Sequence, residues 1–83
     1  MQVTFKLFAA LGQYLPPNAA RNEVQLEVPE GTSIWALLDA HNVPRGMCHL
    51  VLVNGHFQAP AVRDSVDLKP GDVLAVWPPV AGG

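Results

Sequence analysis

Residues 2 to 8 read Q-V-T-F-K-L-F, with Val3, Phe5 and Leu7 alternating against Gln2, Thr4 and Lys6. A period of two among β-forming residues predicts a half-buried strand. The pattern returns more cleanly at 23 to 28, where Val24, Leu26 and Val28 point one way and Glu23, Gln25 and Glu27 the other. Between the two lies a stretch holding Gly12, Pro16 and Pro17, which interrupts any strand. A short helical turn at 9 to 11 followed by a loop is expected there, and the two strands are expected to pair antiparallel across a wide connection.

The period then changes. Ile34, Leu37, Leu38 and His41 fall at i, i+3, i+4 and i+7, one face of a helix. Thr32 or Ser33 can cap its start, and Pro44 forces Val43 out of helical geometry at its end. The run H-L-V-L-V-N-G is a third strand leading into Asn54-Gly55, a dipeptide suited to a two-residue hairpin turn with positive φ. A short return strand follows and stops at Pro60. Lys69-Pro70-Gly71-Asp72 is a tight turn with proline and glycine in its central positions, and V-L-A-V-W at 73 to 77 is the last strand. Strand, strand, helix, strand, short strand, strand predicts an α+β domain with one main helix on one face of a sheet of four to five strands. If the first and last strands are neighbours, the chain between them crosses over the helix and they run parallel. That arrangement is a β-grasp, the ubiquitin-like architecture.

Composition narrows the class. Eighty-three residues make one domain, with 49% hydrophobic and only 14% charged positions. So few charges leave apolar surface for a partner. The net charge is −2, and Lys6, Arg21, Arg45, Arg63 and Lys69 are scattered singly, which argues against a nucleic-acid partner. The longest aliphatic run, Leu50 to Val53, is far too short to cross a bilayer, so no membrane partner is expected. Cys48 is the only cysteine, excluding an intrachain disulfide, and the first residues lack the features of a secretory signal. The expected location is the cytoplasm.

The sequence given closes on W-P-P-V-A-G-G. At ordinary glycine frequency, two glycines at the last two places arise by chance in roughly one chain in two hundred. The segment K-P-G-D-V-L-A-V-W-P-P-V-A-G-G, 69 to 83, closely resembles the end of MoaD-type proteins, the small subunit of molybdopterin synthase. Related ThiS-type sulfur carriers also end in Gly-Gly but usually lack the double proline. The segment F-A-A-L-G-Q-Y-L-P-P-N-A-A-R-N departs from that pattern, being poor in charge, and its Y-L-P-P followed by an arginine resembles ubiquitin-like modules found beside nuclease-like domains.

The resemblance implies a chemistry. A partner resembling the MoeB/ThiF ubiquitin-activating-type adenylyltransferases uses ATP and magnesium to adenylate the carboxylate of Gly83. Sulfur from a persulfide donor then displaces AMP and leaves a thiocarboxylate. No cofactor is expected to stay bound. Activation splits one hard acyl substitution into two easier ones. Residues 1 to 77 then form the β-grasp domain, and 78 to 83 a flexible reactive tail.

The tail residues suit that task. Gly82 and Gly83 lack a Cβ and let backbone approach a nucleotide closely. Pro78 and Pro79 fix φ and favour an extended stem that Val80 and Ala81 complete, and all four are expected to contact the partner together with Ala75 and Trp77. Six residues reach on the order of 20 Å when extended. On the last strand, Leu74 and Val76 are expected in the core, and Ala75 and Trp77 on an exposed face beside the tail. There Trp77 serves as an interface anchor or, alternatively, covers a loop.

Other chemistry is weakly signalled. His41, His49 and His56 form no short ligand pair, and Cys48 beside His49 has no orienting third group. There is no nucleophile elbow and no glycine-rich phosphate loop. The chain therefore reads as a co-substrate or small subunit rather than a standalone enzyme. The double proline favours molybdopterin synthesis with a MoaE-like large subunit. Thiamin, cysteine and thiolated-tRNA pathways stay open, as does a non-catalytic ubiquitin-like interaction module.

Overall fold

The computed structural model describes residues 1–80. Five strands form one sheet in the order β2-β1-β5-β3-β4, where β1 is Gln2–Leu7, β2 Glu23–Glu27, β3 Leu50–Val53, β4 His56–Phe57 and β5 Val73–Trp77. The first two strands pair antiparallel with Phe5 opposite Val24, as their matching alternation requires. The first and last strands lie side by side and parallel, Phe5 opposite Leu74 and Leu7 opposite Val76. β5 is thus the middle strand, which explains why its sequence is apolar on both faces. The architecture is a β-grasp, as the element order implies.

The helix α1 spans Ile34–Ala40, and the Ser33 hydroxyl accepts a hydrogen bond from the Ala36 N–H at 3.1 Å, satisfying one of the free amides of the first turn. Its buried residues Ile34, Leu37 and Leu38 meet Val3, Phe5, Leu7, Val51, Val53, Leu74 and Val76 in one core. His41 follows the helix as its C-cap and packs its ring against Phe5, with 5.0 Å between centroids. The turns obey their residues. Asn54 and Gly55 hold φ of 51° and 83°, the left-handed pair that closes the β3–β4 hairpin. Gly71 holds φ 83° in the turn that the Asp72 N–H closes on the Lys69 carbonyl at 3.0 Å.

Two elements differ from the sequence reading. The segment after β1 is a 3-10 helix over Ala9–Tyr14, longer than the expected turn, with Leu11 driven into the core. The return strand β4 has only two residues, because the chain turns away into a further 3-10 helix at Pro60–Val62. No helix among the described residues is long and apolar enough to cross a membrane.

Candidate functional site: the base of the tail and the open sheet face

The core face of the sheet is covered by α1. The opposite face carries the even positions of β1 and β3 and the odd positions of β5. Strand register fixes its rows. Glu23, Lys6, Ala75, Leu52 and Phe57 lie in one row across all five strands. Trp77 lies opposite Leu50 in the row nearest the tail. The β2 side is polar, with Lys6 and Glu23 forming an ion pair at 3.8 Å. The β5-β3-β4 side is apolar. Phe57 is 59% exposed and Leu50 36% exposed, both large for hydrophobic residues.

Ala75 departs from the expectation of exposure, being only 8% exposed. Its methyl group sits between the longer Lys6 and Leu52 side chains of the same row and is screened by them. It forms the floor of the apolar half rather than its contact surface. Leu74 and Val76 lie fully in the core, as expected.

Trp77 is half-buried, and its ring stacks on Phe8 with 4.3 Å between centroids and 4° between planes. A stacked aromatic pair contributes about 0.5–1.5 kcal/mol beyond its buried area. Trp77 thus covers the start of the 9–14 segment, the second alternative raised for it, and keeps part of its surface beside the tail. Main-chain bonds fix the same point from two sides. The Phe8 N–H donates to the Val76 carbonyl at 3.1 Å, and the His49 N–H donates to the Trp77 carbonyl at 3.0 Å. Neither Pro78 nor Pro79 has an N–H, so the ladder ends at Trp77. Pro78 is half-buried, whereas Pro79 and Val80 are exposed, Val80 at 77%. Ala81, Gly82 and Gly83 lie outside the described residues.

Phe8, Leu50, Leu52 and Phe57 were not singled out by the sequence reading. The signal was present for Phe8. It continues the series Gln2, Thr4, Lys6 onto the polar face, where a phenyl ring needs a reason. For the other three, only strand order reveals that they share one sheet face with Trp77.

The remaining candidates are dispersed. His49 and His56 are exposed, and Cys48 is buried. Burial pushes the Cys48 thiol up, outweighing the opposing effect of the nearby Arg63 charge. Arg45 binds Asp39 through two hydrogen bonds, of 3.2 and 2.7 Å, and lies 4.7 Å from the Trp35 ring centroid.

The ThiS family model matches residues 6–83. Three solved structures are similar. SAMP1 from Haloferax volcanii is 28% identical with a TM-score of 0.66, and the match covers 100% of both chains. A putative molybdopterin converting factor, subunit 1, from Pyrococcus furiosus is 27% identical with a TM-score of 0.65, covering 95% of this chain and 98% of that one. A complex of subunits 1 and 2 of the molybdopterin-converting factor from Helicobacter pylori contains a chain 20% identical, TM-score 0.61, covered in full on both sides. That last likeness bears on the fold alone. No curated protein sequence matches. A β-grasp that stacks Trp77 on Phe8 beside Pro78-Pro79, matched by the family model over nearly its whole length, belongs to the ThiS family of ubiquitin-like sulfur carriers.

Proposed function

We propose that this protein carries sulfur as a thiocarboxylate on Gly83, formed after adenylation by a MoeB/ThiF-like partner that uses ATP and magnesium. The Gly83 carboxylate attacks the α-phosphorus of ATP and expels pyrophosphate, giving a mixed anhydride with AMP. The terminal sulfur of a persulfide then displaces AMP, and reductive cleavage of the sulfur–sulfur bond by a thiol leaves the thiocarboxylate. Gly82 and Gly83 form the tip that enters the partner, and Pro78 to Ala81 the stem.

The observation that carries this reading is the construction at Trp77. A carrier needs a docking surface fixed relative to the root of its tail, because a misplaced reacting group loses orders of magnitude in rate. Here a stacked tryptophan, two main-chain bonds and an exposed apolar half-sheet meet at the residue before Pro78-Pro79. Phe57, Leu50, Leu52 and Trp77 form the contact surface, with Ala75 beneath them.

Molybdopterin synthesis is the pathway we favour, with a MoaE-like large subunit as second partner. The Pro-Pro-Val-Ala-Gly-Gly ending and the likeness to the putative molybdopterin converting factor subunit of Pyrococcus furiosus both support it. The test is to incubate the protein with an adenylyltransferase of this type, ATP, magnesium and a persulfide donor, and to measure intact mass. A terminal oxygen replaced by sulfur is the expected outcome, and deletion of Gly83 abolishes it without altering the fold. Absence of the exchange with such partners, or a mature chain that ends elsewhere than at Gly83, overturns the proposal. Unchanged partner binding without any sulfur transfer would instead favour an interaction module.

A further inference from the structure

Arg63 is an unusual core residue. It is 2% exposed, and among the described residues its guanidinium makes no ion pair. Its Nε donates to the Gln58 carbonyl and one Nη to the Cys48 carbonyl, each at 2.9 Å. The other Nη is buried without a hydrogen-bond partner. The guanidinium lies 5.3 Å from the Trp35 ring centroid, and the Arg63 carbonyl accepts the Trp35 N–H at 3.1 Å. Burying a cation that has only neutral partners is costly, and burial accordingly lowers the Arg63 pKa. A hydrophobic side chain at this position would fill the same space without that cost.

What the charge acts upon is one peptide group. The Cys48–His49 peptide offers its carbonyl to the Arg63 guanidinium, while its N–H donates to the Trp77 carbonyl at 3.0 Å, shared with the Met47 carbonyl at 3.1 Å. A cation bound at the carbonyl draws electron density through the amide and strengthens the N–H as a donor. That N–H holds the last carbonyl of β5, immediately before two prolines that cannot donate any bond of their own.

We propose that Arg63 is a positioning residue for the tail, acting through the Cys48–His49 peptide to fix the Trp77 carbonyl. The buried charge is retained because it tightens the main-chain bond that the His49 N–H makes to the last carbonyl of β5. This role rests on the carrier reading for its purpose, but its physical content concerns the free protein.

The decisive measurement is therefore made without a partner. In the wild-type protein, NMR scalar couplings across hydrogen bonds are expected from the Arg63 Nη to the Cys48 carbonyl carbon and from the His49 amide nitrogen to the Trp77 carbonyl carbon. In Arg63→Met, the His49 amide should exchange with solvent at least about tenfold faster, with amides of β1 and β2 little changed. Arg63→Lys keeps the charge but lacks the planar fork, and should fall between the two. Missing couplings in the wild type overturn the proposal even if neither variant folds. Unchanged His49 exchange overturns it too, as does loss of protection spread evenly over the sheet, the mark of a merely structural residue. With an adenylating partner, the Met variant should lower kcat more than it raises KM, since the docking face is intact and only the stem is loosened. If no adenylation occurs at all, the carrier reading fails while the NMR result still decides the role of Arg63.

Discussion

Replacing Phe57 by alanine separates the docking face from the fold. A phenylalanine side chain offers on the order of 200 Å² of surface, and 59% of this residue is exposed, which leaves roughly 120 Å² for a partner and roughly 80 Å² against the sheet. At about 25 cal/mol per Å², the covered part contributes at most about 2 kcal/mol to folding. The exposed part offers about 3 kcal/mol to a complex that covers it. Folding should therefore weaken by about 1–2 kcal/mol in urea denaturation with an unchanged m-value, because only the partly covered edge strand is affected. Affinity for the adenylating partner, measured by calorimetry, should fall by about 30- to 150-fold, following tenfold per 1.4 kcal/mol. Phe57→Leu should recover most of it. Unaltered affinity in a folded Phe57→Ala protein would show that partners approach elsewhere, and the apolar half-sheet would lose its assigned role.

Other expectations test the frame that holds this face. Leu74→Ala removes a fully buried side chain opposite Phe5 on the middle strand and should cost about 2–5 kcal/mol, a large share of the roughly 5–15 kcal/mol that holds small domains together. A thermal midpoint close to wild type would contradict the central place given to β5. Ser33→Ala deletes the acceptor for the Ala36 N–H and should cost about 1 kcal/mol, whereas Ser33→Gly should cost only a few tenths. The Arg45 hydrogen bonds hold the Asp39 carboxyl below its ordinary range. A depressed carboxylate pKa means that this pair contributes above the unfolded value of about 3.9 and stops contributing as pH falls through its lower folded value. The Asp39 carboxyl titration followed by NMR should accordingly move up in Arg45→Met, and a titration that stays in place refutes the assignment.

What the chain determined by itself was local. Alternation at 2–7 and 23–27 specified two strands and the face each buries, because a strand's side chains change sides at every residue. Asn54-Gly55 and Pro70-Gly71 specified turns, because few residues tolerate the backbone angles found there. Ser33 and Pro44 bounded a helix for equally short-range reasons. The ending supplied the candidate chemistry in a run of six residues.

Tertiary structure decided what those elements do together. The parallel pairing of β1 with β5 joins segments about seventy positions apart and brings Phe8 over Trp77, while the pairing of β3 with β5 and with β4 sets Leu50, Leu52 and Phe57 on the same face. Ala75 is covered for a reason invisible along the chain, since its neighbours in the row, Lys6 and Leu52, come from other strands. Arg63 reads in sequence as one more scattered basic residue. Only the approach of the carbonyls of Gln58 and Cys48, from either side of the hairpin, makes burying its charge tolerable. Periodicity and turn chemistry act over a few residues and are legible directly, whereas the rows of a sheet and the partners of a buried cation exist only once distant segments have met.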